Sequence, residues 1–558
     1  MRAREVRKAF FEYFREKQHT FVAPSPVVPR NDPTLLFINA GMNQFKNIFM
    51  GEENPLFPRA VNSQLCIRVS GKHNDLEEVG ADTHHLTSFE MLGNWSFGDY
   101  GKKESISWAW ELLTETFKLN KKNLYATVFE TDDEAFSLWQ QVTDISHEHI
   151  LRCGKKDNFW EMAQTGPCGP CSEIHLDRGP EACDFVGDTE GHECRVNGDC
   201  ARYIELWNLV FIQFDCQKDG QLKELPHLHV DTGLGLERLA AVMQNTLSVY
   251  ETDLFWPIIQ KIESLSNVSY DPGPDGMPHR VLADHVRTLV MAISDHVMPS
   301  NEGRGYVLRR ILRRAARYGN KMGLTGKPIL YQLVPDTIDI MKAYQPDIVK
   351  RKSFVQEVIK AEETAFMDTL DSGLERFECI AKEMLEKGKA VIPGTDAFKL
   401  YDTYGFPLDL TQILATERGL EVDSDGFEKC MIVQKKRSRK DTAIQQSESS
   451  ASVSKGKDTM APVRQDGDSP DSTDTCILAE FRGAPGGGEA RMPETETDRL
   501  QIARHHTVTH LLQAALRQVL GDHVNQAGSL VDTDHLRFDF SHFKTLTSEE
   551  KNKIDKLI

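Results

Sequence analysis

Residues 205–214 read ELWNLVFIQF and residues 231–243 read DTGLGLERLAAVM, and these two stretches decide the fold. The first alternates aromatic and aliphatic residues as a strand does, and the second carries two glycines in an apolar strand before a helical pattern. Glycine destabilises a strand interior, so it usually marks a place where the backbone closely approaches a ligand. Together they predict strand, turn, glycine-rich strand and helix beside a binding site.

Charged residues accompany these elements. Arg238 opens the helix and is placed to reach a nucleotide phosphate, while Asp231 is a natural partner for a substrate ammonium group. Upstream, LCIRVSGKHNDLEEVG (65–80) ends an apolar strand in Arg68 and presents Lys72 on a loop. Activation of a carboxylate with ATP needs fixed positive charge at the α-phosphate. A basic surface hairpin and a bulged strand with exposed charges remain the alternatives.

Length and charge limit the class of protein. A chain of 558 residues with 40% hydrophobic content predicts three or four domains, and its net charge of −18 argues against a general nucleic-acid-coating protein. No apolar run reaches 18 residues, and the N-terminus is a charged amphipathic segment rather than an export signal. We therefore expect a cytoplasmic protein without a membrane partner, whose eleven cysteines are reduced.

The sequence pattern divides the chain into four parts. Residues 1–250 alternate strand-like runs with turns, and residues 251–440 are mainly helical. Residues 441–497 are rich in Ser, Gly, Pro, Asp and Glu, which predicts a disordered linker. Order returns over residues 498–558, where the last helical pattern stops without a C-terminal cap signal, so we expect an unfinished domain.

One helix is strongly basic. Within RGYVLRRILRRAARYGNK (304–321), the residues that recur at helical spacing are Arg309, Arg310, Arg313, Arg314 and Arg317. A local patch of this kind could bind RNA. The alternative is a solvated helix face, with Leu308, Ile311, Leu312 and Ala315 turned inward.

Two groups of residues offer metal ligands. The first contains Cys168, Cys171, Cys183, His192, Cys194 and Cys200. Its spacings match no standard zinc template, so a metal site and simple thiols both stay open. The second is His506 and His510, which lie one helical turn apart and can share a metal ion, although such a pair is often incidental.

The chain resembles the alanyl-tRNA synthetase family, which belongs to the second structural class of aminoacyl-tRNA synthetases. The supporting segments, in the family's order, are NDPTLLFINAGMNQFK (31–46), CIRVSGKHNDLEEVG (66–80), DNFWEMAQTGPCGPCSEIH (157–175), ELWNLVFIQF, DTGLGLERL, PSNEGRGYVLRRILRRA (299–315) and YDTYGFPLDLT (401–411). The resemblance implies an α+β fold, with an antiparallel sheet flanked by helices over 1–250. It also implies a helical tRNA-recognition domain over 251–440 and a partial α/β editing domain over 498–558.

The resemblance also implies site residues and cofactors. ATP, with Mg²⁺, would be bound by Arg68, Trp160, Leu206, Trp207, Asn208 and Gly235. Asp231, with Asn208, would hold the ammonium group of L-alanine, and Arg68, Asp231 and Arg238 would carry the catalysis. Asn301 and Asp402 would read a G·U pair in the acceptor stem of tRNA(Ala), a role that suits an amide and a carboxylate.

The editing region is similar to the family only in part. His506 and His510 match a HTxTH zinc motif, and QAGSLVDTDHLRFDFSH (526–542) matches the family segment on the C-terminal side of that motif. The remaining Zn²⁺ ligands, in a later CxxxH motif, would lie beyond Ile558, and a barrel-like section before the motif is replaced by the linker. We therefore expect an incomplete zinc site and weak editing of tRNA mischarged with serine or glycine.

One departure concerns the ATP site. The family usually has a second histidine where this chain has Leu86, so either His84 or His85 substitutes or nucleotide binding is weaker. Besides an alanine-charging enzyme, two alternatives stay open: a free-standing deacylase and a tRNA-binding paralogue without activation chemistry. The deacylase would have no use for Arg68 or Asp231, and the paralogue is favoured mainly by Leu86.

Overall fold

The fold is described from a computed structural model. It describes residues 1–29, 35–70, 73–76, 78–162, 165–184, 192–198, 200–301, 303–404, 406, 408–433, 495–521, 523–524, 526–540, 542 and 546–558. The chain forms two compact units, Met1–Met367 and Asp368–Ile558. Lys72 and nearly all of the predicted linker lie outside the described residues, and the four predicted domain boundaries stay predictions.

The first unit is built on a large sheet. Its strands are β1 (Thr20–Phe21), β2 (Arg59–Ile67), β3 (Val69–Ser70), β4 (His73–Asn74), β5 (Ser88–Ser96), β6 (Leu124–Phe129), β7 (Ile150–Cys153), β8 (Phe159–Glu161), β9 (Gly166–Asp177), β10 (Tyr203–Cys216) and β11 (Leu222–Gly235). Nine of them form one sheet in the order β1-β2-β5-β11-β10-β9-β6-β7, with β8 added beside β9. The central pairs are antiparallel, and only the outer pairs β1–β2 and β6–β7 are parallel.

Helices cover this sheet, as the predicted α+β class requires. They are α1 (Ala3–Glu16), α2 (Lys46–Phe49), α3 (Lys102–Glu111), α4 (Asp133–Val142), α5 (Lys155–Asn158), α6 (Leu236–Met243), α7 (Trp256–Ser266), α8 (Met277–Ser294), α9 (Gly303–Lys321), α10 (Val334–Met341) and α11 (Lys352–Glu386), which starts in the first unit and ends in the second. The fold class is confirmed. In α1 the apolar positions Val6, Phe10, Tyr13 and Phe14 are buried, as their helical spacing predicts.

The stretches 205–214 and 231–243 form the centre of the sheet and the helix after it. ELWNLVFIQF lies within β10, a turn at 217–221 comes next, and DTGLG closes β11 before α6. Gly220 takes a positive φ of 82° in that turn, a conformation that favours glycine. The predicted order of strand, turn, glycine-rich strand and helix is confirmed.

Buried charges join α8 to the sheet. Arg287 is fully buried on α8 and forms an ion pair with Glu237 of α6, while Thr87 donates a hydrogen bond to the buried Asp284. The backbone N–H of Glu90 in β5 donates to Glu237 at 3.0 Å. A buried charge is tolerated only when it is paired, so these contacts fix α8 against β5 and α6, next to the glycine-rich strand.

The second unit contains the remaining elements. They are β12 (Val391–Ile392), α12 (Gly394–Tyr404), α13 (Leu408–Glu417), β13 (Glu421–Val422), α14 (Glu496–Leu520), β14 (Gln526–Val531), β15 (Leu536–Phe540) and α15 (Ser548–Leu557). β14 and β15 form an antiparallel hairpin that packs with α14 and α15 around Ala515, Leu516, Val524 and Ile554. In the described part of the chain, no helix has the length and apolar character needed to cross a membrane.

Candidate active site

A cavity of about 670 Å³ lies among β5, β8, β9, β10, β11 and α6. The predicted site residues that line it are Arg68, Trp160, Leu206, Asn208, Asp231, Gly235 and Arg238. These residues are scattered over more than a hundred positions of sequence, and the antiparallel sheet brings them together. A concave site with convergent polar groups is the expected form of a small-molecule site.

Asp231 is one of the buried acids that line the cavity. It lies in β11 opposite Val210, and the indole Nε1 of Trp95 donates a hydrogen bond to its Oδ1 at 2.6 Å. Burial raises the pKa of Asp231 to about 7, and the Trp95 hydrogen bond only partly opposes this shift. A buried carboxyl group in this state is stabilised as an anion when a cation binds beside it.

Asn208 supplies a second acceptor. It lies in β10 opposite Gly233, and its Nδ2 donates to Glu173 at 3.3 Å. Its Oδ1 is buried and accepts no hydrogen bond from any residue that the structure describes. A buried oxygen without a donor is costly unless a ligand satisfies it. Asn208 and Asp231 therefore contribute oxygen acceptors to the same cavity.

Two arginines supply fixed positive charge. Arg68 follows β2, where its Nε donates to the carbonyl oxygen of Asn39 at 3.1 Å and its guanidinium lies 4.9 Å from the centre of the Phe89 ring. Arg238, in the first turn of α6, donates to the Oε2 of Glu205 at 3.1 Å. Because both side chains are held by such contacts, little reorganisation is needed to bind phosphate oxygens.

Glu173 and Glu205 line the cavity although the sequence analysis did not select them. Burial raises the pKa of Glu173, and His175, 3.1 Å away, partly opposes this. Burial would also raise the pKa of Glu205, but the positive charge of Arg238 holds it below its ordinary value. The available signal was a carboxylate that interrupts an otherwise apolar strand.

Trp207 does not line the cavity, so its predicted place in the adenylate pocket is wrong. Its ring is fully buried against Phe10 and Phe14 of α1, at centroid distances of 5.8 and 6.2 Å. Side chains alternate along a strand, so Leu206 and Asn208 face the cavity while Trp207 does not. A bulge between Glu205 and Trp207 adds a residue to β10 and lets Glu205 reach the cavity as well.

Leu86 and both preceding histidines line the same cavity. The ring of His84 lies 4.5 Å from that of His85, and burial lowers the pKa of His84 to about 3. His85 contacts the Asp82 carboxylate through Nδ1. Two imidazole side chains therefore line the cavity, although Leu86 stands where the family usually has its second histidine.

The basic helix is less exposed than either interpretation assumed. Leu308 and the other three apolar residues are buried as expected. However, Arg314 and Arg317 are also buried, with Arg314 donating to the carbonyl oxygen of Val79 at 3.0 Å. Arg309 and Arg313 both contact Glu362 of α11. Most of the arginines thus serve the packing of the first unit, and the solvated-face interpretation is wrong for these positions.

The residues predicted to bind tRNA and zinc do not line this cavity. Asn301, exposed at the start of α9, accepts a hydrogen bond from Arg309. Asp402 is exposed on α12 of the second unit. In α14 the rings of His506 and His510 lie 4.7 Å apart, and among the described residues no third ligand-type side chain forms a cluster with them.

The cysteine-rich group is divided by the structure. Cys168 and Cys171 are buried thiols within β9, and Cys171 packs in the apolar core beside Val210. Among the described residues, neither of them belongs to a cluster of ligand-type side chains. The other four side chains form one cluster.

Comparisons with known proteins agree with this geometry. The family model described as tRNA synthetases class II (A) matches residues 5–478. Alanine–tRNA ligases from Chlorobium luteolum and Chlorobaculum tepidum are 47% and 46% identical over 627 positions, covering all of this chain and 70% of each relative. A solved histidyl-tRNA synthetase from S. aureus is 10% identical with a TM-score of 0.26, covering 43% of this chain and 66% of that one.

The antiparallel sheet, its cavity and the family match define a class II aminoacyl-tRNA synthetase. Within that class, the chain belongs to the alanine–tRNA ligase family. It is an enzyme that attaches alanine to tRNA(Ala), and its class uses ATP with Mg²⁺. A free-standing deacylase does not account for a match that also spans the catalytic and helical regions.

Proposed function

We propose that alanine binds with its ammonium group between Asp231 and Asn208. The observation that carries this proposal is the pair of buried oxygens: the Asp231 carboxyl, whose pKa burial raises to about 7, and the Asn208 Oδ1, which accepts no hydrogen bond from the described residues. A primary ammonium group has three donors and a positive charge, so it satisfies both. The charge-assisted hydrogen bond to Asp231 supplies most of the affinity.

ATP binds in the same cavity on the side of the arginines. Arg68 holds the α-phosphate and Arg238 a more distal phosphate, while Trp160, Leu206 and Gly235 line the space for the adenosine. The three atoms nearest to a Cβ at Gly235 would all belong to Arg238, the closest at 3.6 Å, which is an ordinary contact distance, so the chain itself does not require glycine there. His85, held by Asp82, takes the place of the missing family histidine.

The carboxylates near Arg238 are suitable ligands for Mg²⁺. Glu205 and Asp75 both line the cavity and offer the hard oxygen ligands that this ion prefers. When bound, the ion neutralises charge on the phosphates. The Glu205 carboxyl has a lowered pKa, so it stays ionised over the working pH range.

The reaction then proceeds in two displacements. A carboxylate oxygen of alanine attacks the α-phosphorus of ATP, the bond to the β-phosphate oxygen breaks, and pyrophosphate leaves. A hydroxyl of the terminal adenosine of tRNA next attacks the carbonyl carbon of the adenylate, and AMP leaves as the ester forms. Arg68 stabilises the charge that develops on the α-phosphate, and Asp231 fixes the position of the amino acid.

ATP–pyrophosphate exchange tests the first step directly. We expect exchange that requires alanine and Mg²⁺ and occurs without tRNA. Exchange that is absent with alanine, in a folded protein that still binds tRNA(Ala), would overturn the activation proposal. That result would favour the paralogue without activation chemistry.

Asn301 and Asp402 read the G·U pair of the acceptor stem. An arginine can only donate, so the hydrogen bond from Arg309 must engage the Oδ1 of Asn301. The Nδ2 of Asn301 is then the atom that can donate to a base edge, while the Asp402 carboxylate can only accept. Arg309 is in turn held by Glu362 at 3.0 Å, so a partly buried ion pair supports the orientation of the amide.

His506 and His510 do not make an editing site by themselves, and efficient editing needs further zinc ligands. His506 and His510 supply two zinc ligands, and two imidazoles seldom hold a zinc ion alone. The alignments with relatives run over 627 positions against 558 residues here, so the relatives carry additional residues within the aligned region. A cytoplasmic location stays a prediction from the sequence.

A further inference from the structure

Four side chains outside the catalytic cavity converge at one point. They are Cys183, His192, Cys194 and Cys200, whose ligand atoms all lie within 4.8 Å of one another. The Nε2 of His192 lies 3.4 Å from the Sγ of Cys183 and 3.5 Å from the Sγ of Cys194. The three cysteines are free thiols rather than partners in a disulfide.

These separations match a tetrahedral zinc site. Zn–S bonds of about 2.3 Å and Zn–N bonds of about 2.0–2.1 Å place tetrahedral ligands about 3.8 Å apart for two sulfurs and about 3.6 Å apart for sulfur and nitrogen. Hydrogen bonds between thiols and imidazole explain the cluster less well. An unprotonated Nε2 has one lone pair, so it can accept fully from only one of its two thiol neighbours.

The cluster lies in the connection between β9 and β10, two strands that line the cavity. The described part of this connection contains only one short 3₁₀ helix, Pro180–Ala182. Its base is held by a two-pronged ion pair between Arg202 and Asp177, at 2.7 and 2.8 Å. A cross-link within such a connection lowers the entropy cost of holding it in one conformation.

The cluster also places a side chain against the cavity wall. Asn197 lies between Cys194 and Cys200 and has a left-handed φ of 55°. Its Nδ2 donates to the Oε2 of Glu173 at 3.2 Å, and Glu173 accepts from Asn208 through its other oxygen. A constraint on Cys194 and Cys200 therefore fixes Asn197, which contacts Glu173. Glu173 in turn contacts Asn208 of the proposed ammonium site.

We propose that Cys183, His192, Cys194 and Cys200 form a structural zinc site that holds the β9–β10 connection. Three thiolates and one imidazole are a common closed ligand set for structural zinc. The ion cross-links the connection and thereby stabilises the folded chain. Asn197 is a positioning residue, since it acts on the amino-acid site through Glu173. This last role depends on the proposed function, whereas the zinc site does not.

Metal analysis of the whole chain tests the site. The background is His506→Ala/His510→Ala, which removes the other predicted zinc ligands. We expect about one zinc ion per chain in this background, and loss of that ion in Cys183→Ser and Cys194→Ser. Cys379→Ser, which changes an exposed free thiol of α11, is the matched control and should keep the zinc. Zinc content unchanged in both cluster variants would overturn the proposal.

A second measurement covers variants that fold poorly. The same measurement uses the His506→Ala/His510→Ala protein with all four cluster residues intact. When cobalt replaces zinc in this protein, we expect thiolate-to-cobalt charge-transfer bands and the visible spectrum of a tetrahedral site. Cys194→His, which keeps a ligand, should retain metal with a changed charge-transfer intensity. A disulfide between two of the three cysteines in freshly purified protein, without metal, would refute the zinc site.

The positioning role has its own readout. Asn197→Ala should keep the zinc and raise the KM for alanine in pyrophosphate exchange about 2- to 12-fold, the loss expected for one hydrogen bond. The KM for ATP should change little, because the contact leads to Asn208 and not to the arginines. An unchanged KM for alanine would refute the role of Asn197. It would not bear on the zinc site, which the measured zinc content tests separately.

Discussion

The catalytic cavity and the histidine pair of α14 differ in how their residues are brought together. Asp231, Asn208 and Arg238 come from neighbouring antiparallel strands and the following helix, and each is fixed by contacts with residues distant in sequence. His506 and His510 come from one turn of one helix. The first arrangement brings charged and polar groups from several elements around one cavity, whereas the second is a pair of neighbouring imidazoles on one helix.

The difference shows that local spacing alone does not make a site. Two histidines at i and i+4 meet in any helix, so their proximity carries little information about function. A cavity that contains a buried carboxyl with a raised pKa, together with an amide oxygen that accepts no hydrogen bond from the described residues, is costly to maintain without a ligand. We therefore expect substitutions in the cavity to have large effects on activity and substitutions of the pair to have small ones.

The largest effect is expected for Arg68→Ala. Loss of a fixed positive charge at the α-phosphate should lower the rate of alanine-dependent pyrophosphate exchange about 100- to 1,000-fold. Arg68→Lys should recover part of the rate, because it restores the charge without the planar guanidinium. If the Arg68→Ala enzyme exchanges pyrophosphate at the wild-type rate, Arg68 does not stabilise the charge on the α-phosphate.

Asn301→Ala should have the next largest effect, confined to tRNA. Loss of a base-edge hydrogen bond costs about 1–3 kcal/mol, so charging of tRNA(Ala) should fall about 5- to 150-fold. Pyrophosphate exchange should be unchanged, because exchange does not require tRNA. Asp402→Ala should behave in the same way.

The matched comparison is charging of a tRNA whose G·U pair is replaced by G·C. The Asn301→Ala enzyme should distinguish the two tRNAs less than the wild type does. Equal losses of charging and exchange would show that the substitution unfolds the protein rather than removes a contact.

The Asp231 carboxyl predicts a moderate dependence of alanine binding on pH. Its pKa in the free enzyme is raised to about 7, and the alanine ammonium group binds the ionised form. As pH falls through 7, the carboxyl takes up a proton and affinity is lost, so the KM for alanine should be about tenfold higher at pH 6 than at pH 8. Initial rates of exchange over this range measure it.

Asp231→Asn is the control for this profile. The amide cannot ionise, so the variant should have a high KM for alanine at every pH, without the rise between pH 8 and pH 6. A wild-type profile that persists in Asp231→Asn would assign the titration to another group, such as Glu173, whose pKa is also raised.

The smallest effect is expected for the histidine pair. One methyl group gives only about 1–3 kcal/mol of discrimination, so glycine and serine should be activated at a measurable rate and alanine enzymes need hydrolytic editing. With two zinc ligands, this chain should release serine from Ser-tRNA(Ala) at nearly the uncatalysed rate, and His506→Ala should change nothing. Rapid deacylation of Ser-tRNA(Ala) that is abolished by His506→Ala would show that the histidine pair is part of an active site, contrary to this prediction.

Much of the fold and of the site could be predicted from the sequence. The alternation in residues 205–214 indicated β10, and the glycines of residues 231–235 indicated β11 beside a ligand. Arg68, Asn208, Asp231 and Arg238 were selected by their charge or by motif, and all four line the cavity. These predictions succeeded because the pattern of a strand and the chemistry of a charged group are both local properties.

Other features depended on contacts that no local pattern encodes. Trp207 was placed in the cavity by motif, but the pleat of β10 turns it toward α1, and the bulge beside Leu206 brings Glu205 in instead. The arginines of α9 have helical spacing typical of a surface, yet Arg314 and Arg317 are buried, and Arg314 donates to the carbonyl oxygen of Val79, a residue distant in sequence.

By itself, the sequence determined the α+β class, the family and most of the charged and polar residues that line the cavity, because side-chain periodicity and charge are carried by neighbouring residues. The tertiary structure alone decided which face each strand residue takes, and that Cys183, His192, Cys194 and Cys200 meet although their spacing fits no zinc template. Convergence of this kind depends on how the connection between β9 and β10 closes. That closure is set by the register of the two strands and by the Arg202–Asp177 ion pair at their ends.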